Sequence, residues 1–464
     1  MTAVVNTDGT AVDEALVKEF GNGLHGELIR PGDAAYDEAR KVWNGMIDRR
    51  PGLIARCADS PDVARAVNFG RDHELLVAVR GGGHSFPGLS ICDGGMLIDL
   101  APMKAITVDA ETRRARAGAG ALWGELDRAT QSAGLAVTGG MISHTGIAGL
   151  TLGGGIGWLM RKHGLVCDNL VAADIVTADG RLLTASATEN PDLFWGLRGG
   201  GGNFGVATSF DYQLHPLGPV FGGLVAYPLS EAGSVLGSFR DLVPLPDELG
   251  TAVAFLTSPE GHPAVGIGIC YSGDPSRAEA VVQPLRTFGT PAMDQLGPMP
   301  YPELQSMLDA LAEPGNRYYV RANFFGEISD GLVEVLQERY LQVPSPLTLI
   351  LLMPLGGAVG RVAPEATAFA HRQAPFHFEI FSGWTDPADD DKNMGWLRDT
   401  WDTALPFLGR GVYVNNLDRG EGEDRVREAY GSATYDRLAA LKSRYDPTNL
   451  FRLNQNIKPA ASRG

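Results

Sequence analysis

Cysteine is scarce in this chain of 464 residues, with four in all, at Cys57, Cys92, Cys167 and Cys270. They are widely separated and show no C-x-x-C spacing, which excludes a disulfide framework and a cysteine zinc site and leaves buried thiols as the expectation. The histidines lack H-x-x-x-H spacing and clustered carboxylates, so no metal site is expected. No apolar run reaches the roughly eighteen residues needed to span a bilayer. The opening MTAVVNTDGTAVDEALVKEF lacks the basic and apolar regions of a secretory leader, so a cytoplasmic chain with no membrane partner is expected. Basic charge is also in short supply. Thirty-nine Lys and Arg stand against 55 Asp and Glu, a formal net charge of -16, which argues against nucleic acid or an anionic membrane as partner. Nucleotide signatures are missing too: neither GAGALWG nor GGGIG satisfies G-x-G-x-x-G, and no Walker-type G-x-x-x-x-G-K-[ST] occurs.

What the chain has in excess is glycine. Its 60 glycines are about twice the usual share, and they crowd between residues 81 and 205. There lie RGGGHS (80–85), ARAGAGALWGEL (115–126), GGMISHTGIAGLTLGGGIGWL (139–159) and WGLRGGGGNFGVATSFDYQL (195–214). Between them MLIDL and LVAADIVTADGRLLTAS read as strands and ALWGELDRATQSAG as a helix. Short strands joined by glycine turns predict an α+β domain whose loops converge on one extended ligand. Beyond residue 216 the glycines thin out. Strand runs such as GTAVAFLTS, AVGIGICYSG and PLTLILLMPLGG alternate with helical PSRAEAVVQPLRTF and GLVEVLQERYLQ, which predicts an antiparallel sheet backed by helices. The last fifty residues read as two helices and an Asn-rich tail returning to the first domain. The expected division is 1–215 (two α/β subdomains), 216–410 and 411–464.

Two stretches carry chemistry. In VAVRGGGHSFPG a strand runs into a glycine turn that brings backbone N–H groups close to a ligand, with Arg80 adding a fixed positive charge. In HFEIF the strand period of two sets His377 and Glu379 on one face and Phe376, Phe378 and Ile380 on the other. YYVRANFF likewise sets Tyr319, Arg321, Asn323 and Phe325 together, read as the wet side of a sheet, with a pocket wall as the other reading. His144 and His163 carry no assigned role.

In this order and spacing, RGGGHS, GGMISHTGIAGLTLGGGIGWL, DLFWGLRGGGGNFGV and YDPTNLFRLNQNIKP resemble the flavoprotein oxidases of the vanillyl-alcohol oxidase superfamily, with its PCMH-type FAD-binding domain. Within it the likeness, from about residue 35 to 460, is to the berberine-bridge-enzyme-like group of the mono-covalent bacterial type. The resemblance implies a two-part FAD-binding domain with an inserted antiparallel-sheet substrate domain. It implies that FAD is held by Arg80, Gly81, Gly82, Gly83, His84, Ser85 and Gly88, by Gly140, Thr145, Gly146, Gly149, Gly153, Gly154 and Gly155, by Gly205 and Val206, and by Asn454 and Asn456. His84 is implied to bond the flavin 8α-methyl carbon. Ile142 stands where many members carry a second, cysteinyl link, so one covalent bond is expected. Thr145 takes the position that governs oxygen access. Glu379, on the strand before Trp384, is the implied base. Tyr413 and Asn415 match the family's Y-x-N-Y element, while Asn416 replaces its second tyrosine and shifts proton transfer to Glu379, with Tyr319 as a candidate helper. The implied function is an FAD-dependent oxidase of a small or medium organic substrate (alcohol, amine or activated carbon). A hydride passes to flavin N5 and O2 is the acceptor, giving hydrogen peroxide, in secondary metabolism. The chain is expected as monomer or homodimer. A dehydrogenase with a non-oxygen acceptor and a non-catalytic flavin-binding protein remain as alternatives.

Overall fold

Four-residue apolar runs build the first sheet. In the computed structural model, which describes residues 4–460, VAVR forms strand Val77–Arg80, parallel to Met96–Asp99, which is parallel in turn to Leu53–Arg56. Glu27–Ile29 closes the edge antiparallel. Helix Ser60–Asp72 crosses over between Leu53–Arg56 and Val77–Arg80; Asp59 caps it by accepting from the Asp62 amide at 3.0 Å, and a proline sits in its first turn. Parallel strands are covered on both faces and read as unbroken apolar runs, and all of Met96–Asp99 is buried. Runs this short carry no visible period, which is why the parallel unit was not legible beforehand.

A second sheet is antiparallel throughout, in the order Ile106–Asp109, Arg114–Gly118, Val206–Gln213, Leu170–Val176, Leu182–Ser186. The third and largest is also antiparallel. It runs Met293–Asp294, Val220–Pro228, Pro263–Tyr271, Leu249–Thr257, Leu349–Pro354, Phe376–Trp384, Arg317–Phe325, with Gly297–Met299 added on Val220–Pro228. One face packs on helices Ala232–Leu242, Asp330–Tyr340 and Asp390–Ala404 to form an apolar core of its own. The other face turns to the glycine-rich loops. The fold is therefore α+β. Phe376, Phe378 and Ile380 enter the helix-side core, leaving His377, Glu379 and Phe381 to the opposite face.

The YYVRANFF face is not wet. Tyr319 and Phe325 belong to the helix-side core, and Arg321 and Asn323 are buried with them. The cause is a distant segment that covers this edge strand: Phe324 and Gly409–Gly411 exchange backbone hydrogen bonds, Asn323 donates to the Gly409 carbonyl at 2.9 Å, and Arg321 donates to that of Arg419 at 3.1 Å. Tyr319 thus faces away from Glu379 and cannot assist it.

After helices Glu423–Tyr430 and Ser432–Tyr445 the tail turns back onto the glycine loops. Lys442 and Asp446, both fully buried, pin that return. The Lys442 ammonium donates to Asp446 (2.7 Å) and to the carbonyls of Asn203 and Phe451 (both 2.8 Å). Asp446 accepts from the amides of Leu450 and Phe451. No helix among the described residues is long and apolar enough to cross a membrane.

Removing one partner of a buried pair leaves an uncompensated charge, so Lys442→Met is expected to destabilise the protein by about 3–5 kcal/mol. Urea unfolding followed by circular dichroism checks this, and an unchanged midpoint would show that the pair is dispensable.

Candidate active site

A large cavity separates the glycine loops from the open face of the third sheet. Strand Val77–Arg80 ends in a turn whose Gly81, Gly82, Gly83, His84 and Ser85 all line it. Gly82 passes Gly146 so closely that a Cβ on either would run into the other's backbone. The two loops can meet only as bare chain. Gly83 takes φ +71°, and among the described residues the amides of Gly82, Gly83, His84 and Ser85 donate to no backbone acceptor. Successive free amides on such a turn make an anion cradle. Gly140, Thr145, Gly146, Gly149, Gly205, Val206 and Asn454 complete the wall. Asn454 donates to the Gly202 carbonyl at 3.1 Å, while its Oδ1 is buried without a partner.

Arg80 is not part of this wall. In the parallel register it stands opposite Asp99, and its guanidinium is consumed there: Nε lies 3.1 Å from Asp99 Oδ1, Nη2 2.8 Å from Oδ2, and Nη1 donates to the Lys41 carbonyl at 2.8 Å. Among the described residues no arginine or lysine lines the cavity, so the cradle is built from backbone. Gly88, Gly153, Gly154, Gly155 and Asn456 also fall outside the wall. Gly88 packs against Ile47, and Gln455 takes the tail position expected of Asn456. The Gly153–Gly155 turn acts one layer back. The Gly155 N–H donates to the Tyr413 hydroxyl at 2.9 Å, and Asn415 Nδ2 donates to it at 2.8 Å.

Two residues unassigned in the sequence define the setting of His84. Trp43 stacks on its ring at 4.4 Å, with Tyr318 stacked on the indole's other side at 3.9 Å. His144 Nδ1 is 2.7 Å from His84 Nε2, and Thr145 Oγ1 is 3.5 Å from His84 Nδ1. Burial first, and His144 second, hold the His84 imidazole well below its ordinary range, so it is neutral. Only the HT step next to the glycine loop hinted at His144, and nothing in the sequence marked Trp43.

From the facing sheet, Glu379 enters the cavity only 8% exposed. Burial raises its carboxyl to about 7, with Asn416 pulling the other way. Asn416 and Tyr413 line the same cavity. Tyr413 serves as a clamp, because its hydroxyl is held by Gly155 and Asn415 and burial pushes its phenol further up. The four cysteines are buried and unpaired, and none lines the cavity.

The structure does bring one histidine and two carboxylates together, His25, Asp59 and Asp62. These groups are already engaged: Asp62 accepts from the amides of His25, Gly26 and Ala58 (2.8, 2.8 and 3.0 Å), and His25 pairs with Asp59 at 2.7 Å.

The cavity sets a backbone cradle and a neutral histidine on one wall and a buried carboxyl on the other, and comparison with known proteins supplies the class. The model for the FAD binding domain matches residues 51–186, and that for berberine and berberine-like proteins matches 412–458. An FAD-linked oxidoreductase of Dictyostelium discoideum is 34% identical over 452 residues, covering 96% of this chain and 97% of the relative. The (R)-6-hydroxynicotine oxidase of Paenarthrobacter nicotinovorans is 31% identical over 463 residues, covering 95% and 98%. The crystal structure of 6-hydroxy-D-nicotine oxidase from Arthrobacter nicotinovorans superimposes with a TM-score of 0.87 at 31% identity, over 94% of this chain and 98% of that one. The chain belongs to the berberine-bridge-enzyme-like family of FAD-linked oxidoreductases and is an FAD-dependent oxidase of organic substrates.

The crossing of Gly82 and Gly146 gives a direct check. Gly82→Ala is expected to force the loops apart and lower FAD affinity by about tenfold or more. Gly233→Ala, on a helix of the third sheet's far side where a Cβ meets nothing within 4 Å, leaves it unchanged. Flavin absorbance per mole of purified protein reads both.

Proposed function

We propose that FAD lies along the glycine cradle, tethered by one bond to His84, and that Glu379 takes a proton from a substrate resting on the sheet. The observation that carries this is the placing of a neutral His84 and a buried Glu379 with a raised pKa on facing walls of one cavity. The residues fit the cofactor: the free amides of 82–85 suit a pyrophosphate, and the close-packed glycines admit a flat ligand where side chains would stand. Bound there, FAD supplies a two-electron acceptor for the substrate carbon.

His84 Nε2 is engaged by His144 Nδ1 at 2.7 Å, while His84 Nδ1 meets the Thr145 hydroxyl at a long 3.5 Å, so Nδ1 is the nitrogen we assign to the tether. Ile142 lines the cavity where a cysteinyl link would be made, and the absence of cysteine from the described wall supports a single bond. Glu379, as carboxylate, accepts a proton from a hydroxyl, an amine or an acidic carbon, while the Asn416 amide steadies its charge. Thr145 sits beside His84 and governs the approach of O2, which we take as the acceptor. The apolar core under the third sheet supports the division at 1–215, 216–410 and 411–464. We read the enzyme as a cytoplasmic monomer or homodimer acting in secondary metabolism.

Screening alcohols and amines for anaerobic bleaching of the flavin identifies a reductant. With it, kcat/KM is expected to rise with pH through an apparent pKa near 7, because burial raises the carboxyl and only the deprotonated form accepts the proton. Glu379→Gln loses that limb and about 10²- to 10⁴-fold in rate. A variant that bleaches at the wild-type rate would remove Glu379 from the chemistry.

A further inference from the structure

His377 shares the cavity-facing side of its strand with Glu379 and takes no part in the proton transfer assigned to that carboxylate. It is fully buried, yet neither ring nitrogen has a hydrogen-bond partner. Tyr413 and Phe324 meet the ring at steep angles, 6.0 and 5.5 Å between centroids, and neither supplies a bond to it. Burial pushes the imidazole down to about 3, so it is neutral and offers one N–H and one lone pair. Unpaired buried polar groups are rare and need a reason. His377 is among the residues that line the cavity, so a ligand atom there is the partner open to it once the fully buried ring turns outward.

The surroundings restrict what that partner can be. In register, Met353 stands beside His377, Leu351 beside Glu379 and Leu349 beside Phe381, and Leu308 and Leu311 extend the same apolar wall. Among the described lining residues Glu379 is the one carboxylate, and there is no lysine or arginine. An anionic substrate would have no counter-charge, and a sugar's many hydroxyls would face hydrocarbon. Residues two apart on a strand are about 7 Å apart, a span that a six-membered ring fills when one para substituent carries its polar atom a bond further out.

We propose that the cavity takes a largely apolar, ring-sized substrate with two polar atoms, a hydroxyl or amine whose proton faces Glu379 and a second hydrogen-bonding atom held by His377. This rests on the assignment of Glu379 as proton acceptor and adds the substrate class. His377 is then a specificity-determining positioning residue, and the stability it forgoes by being unpaired is the cost of ligand recognition.

Binding of four probes without an oxidisable carbon–hydrogen bond next to a hydroxyl or amine, or with sugar or acid chemistry, tests this on the flavin-loaded protein. They are 4-hydroxyacetophenone, phenol, xylobiose and benzoate, followed by quenching of tryptophan fluorescence, to which Trp43 in the cavity contributes. 4-Hydroxyacetophenone is expected to bind about tenfold or more tighter than phenol, with xylobiose and benzoate silent where it saturates. In His377→Leu the preference collapses to within about twofold while the thermal midpoint stays level or rises, since an apolar residue replaces an unpaired polar one. His377→Gln, which keeps a donor and an acceptor, retains the preference. Tight binding of xylobiose or benzoate, no binding of either aromatic probe, or a preference that survives in His377→Leu would overturn the proposal. A lowered midpoint in His377→Leu together with an unchanged preference would mark a purely structural residue. If Glu379→Gln turns over normally but His377→Leu loses the preference, the base assignment fails and the substrate class stands.

Discussion

The closeness of two glycines is the constraint on which the rest of the site depends. Gly82 and Gly146 belong to loops that are far apart in sequence and cross with no room for a side chain on either. That contact brings the turn after Val77–Arg80 against the loop carrying His144 and Thr145, and so brings His84 within 2.7 Å of His144. It also leaves a surface of bare amides. Without lysine or arginine in the described wall, this backbone surface is the one positive feature available to a phosphate-bearing cofactor, in a chain with a net charge of -16.

The second constraint is the strand period of Phe376–Trp384. One face must fill the core against helices Asp330–Tyr340 and Asp390–Ala404, which fixes the register and leaves His377, Glu379 and Phe381 no freedom to turn away from the cavity. Low dielectric then sets the chemistry of both walls by one rule: burial disfavours charge, so His84 and His377 are held neutral and Glu379 keeps its proton to about neutral pH. Two imidazoles and a carboxyl are thereby tuned by their surroundings, with no lysine or arginine in the described wall.

Much of this was legible in the sequence because it is local. The RGGGHS turn, the alternation in HFEIF and the return of the Asn-rich tail depend on spacing within a few residues, and each is found where expected. What failed depends on tertiary neighbours. Arg80 looked like a phosphate ligand until the parallel pairing placed Asp99 beside it. Tyr319 and Arg321 looked wet until residues 409–421 covered their edge strand. Gly155 looked like a cofactor contact and instead donates to the Tyr413 hydroxyl, while Gly153 packs against Asn415 and Gly154 against Phe369. Trp43 gave no signal because its partners, His84 and Tyr318, arrive from two other parts of the chain.

His84, neutral and held by His144, is the residue we propose to carry the single bond to FAD. The intact mass of acid-precipitated protein tests this. A wild-type chain heavier by one FAD is expected, with the yellow colour in the pellet, and a His84→Ala chain of bare polypeptide mass. Flavin released from the wild-type protein, or still attached in His84→Ala, would contradict it.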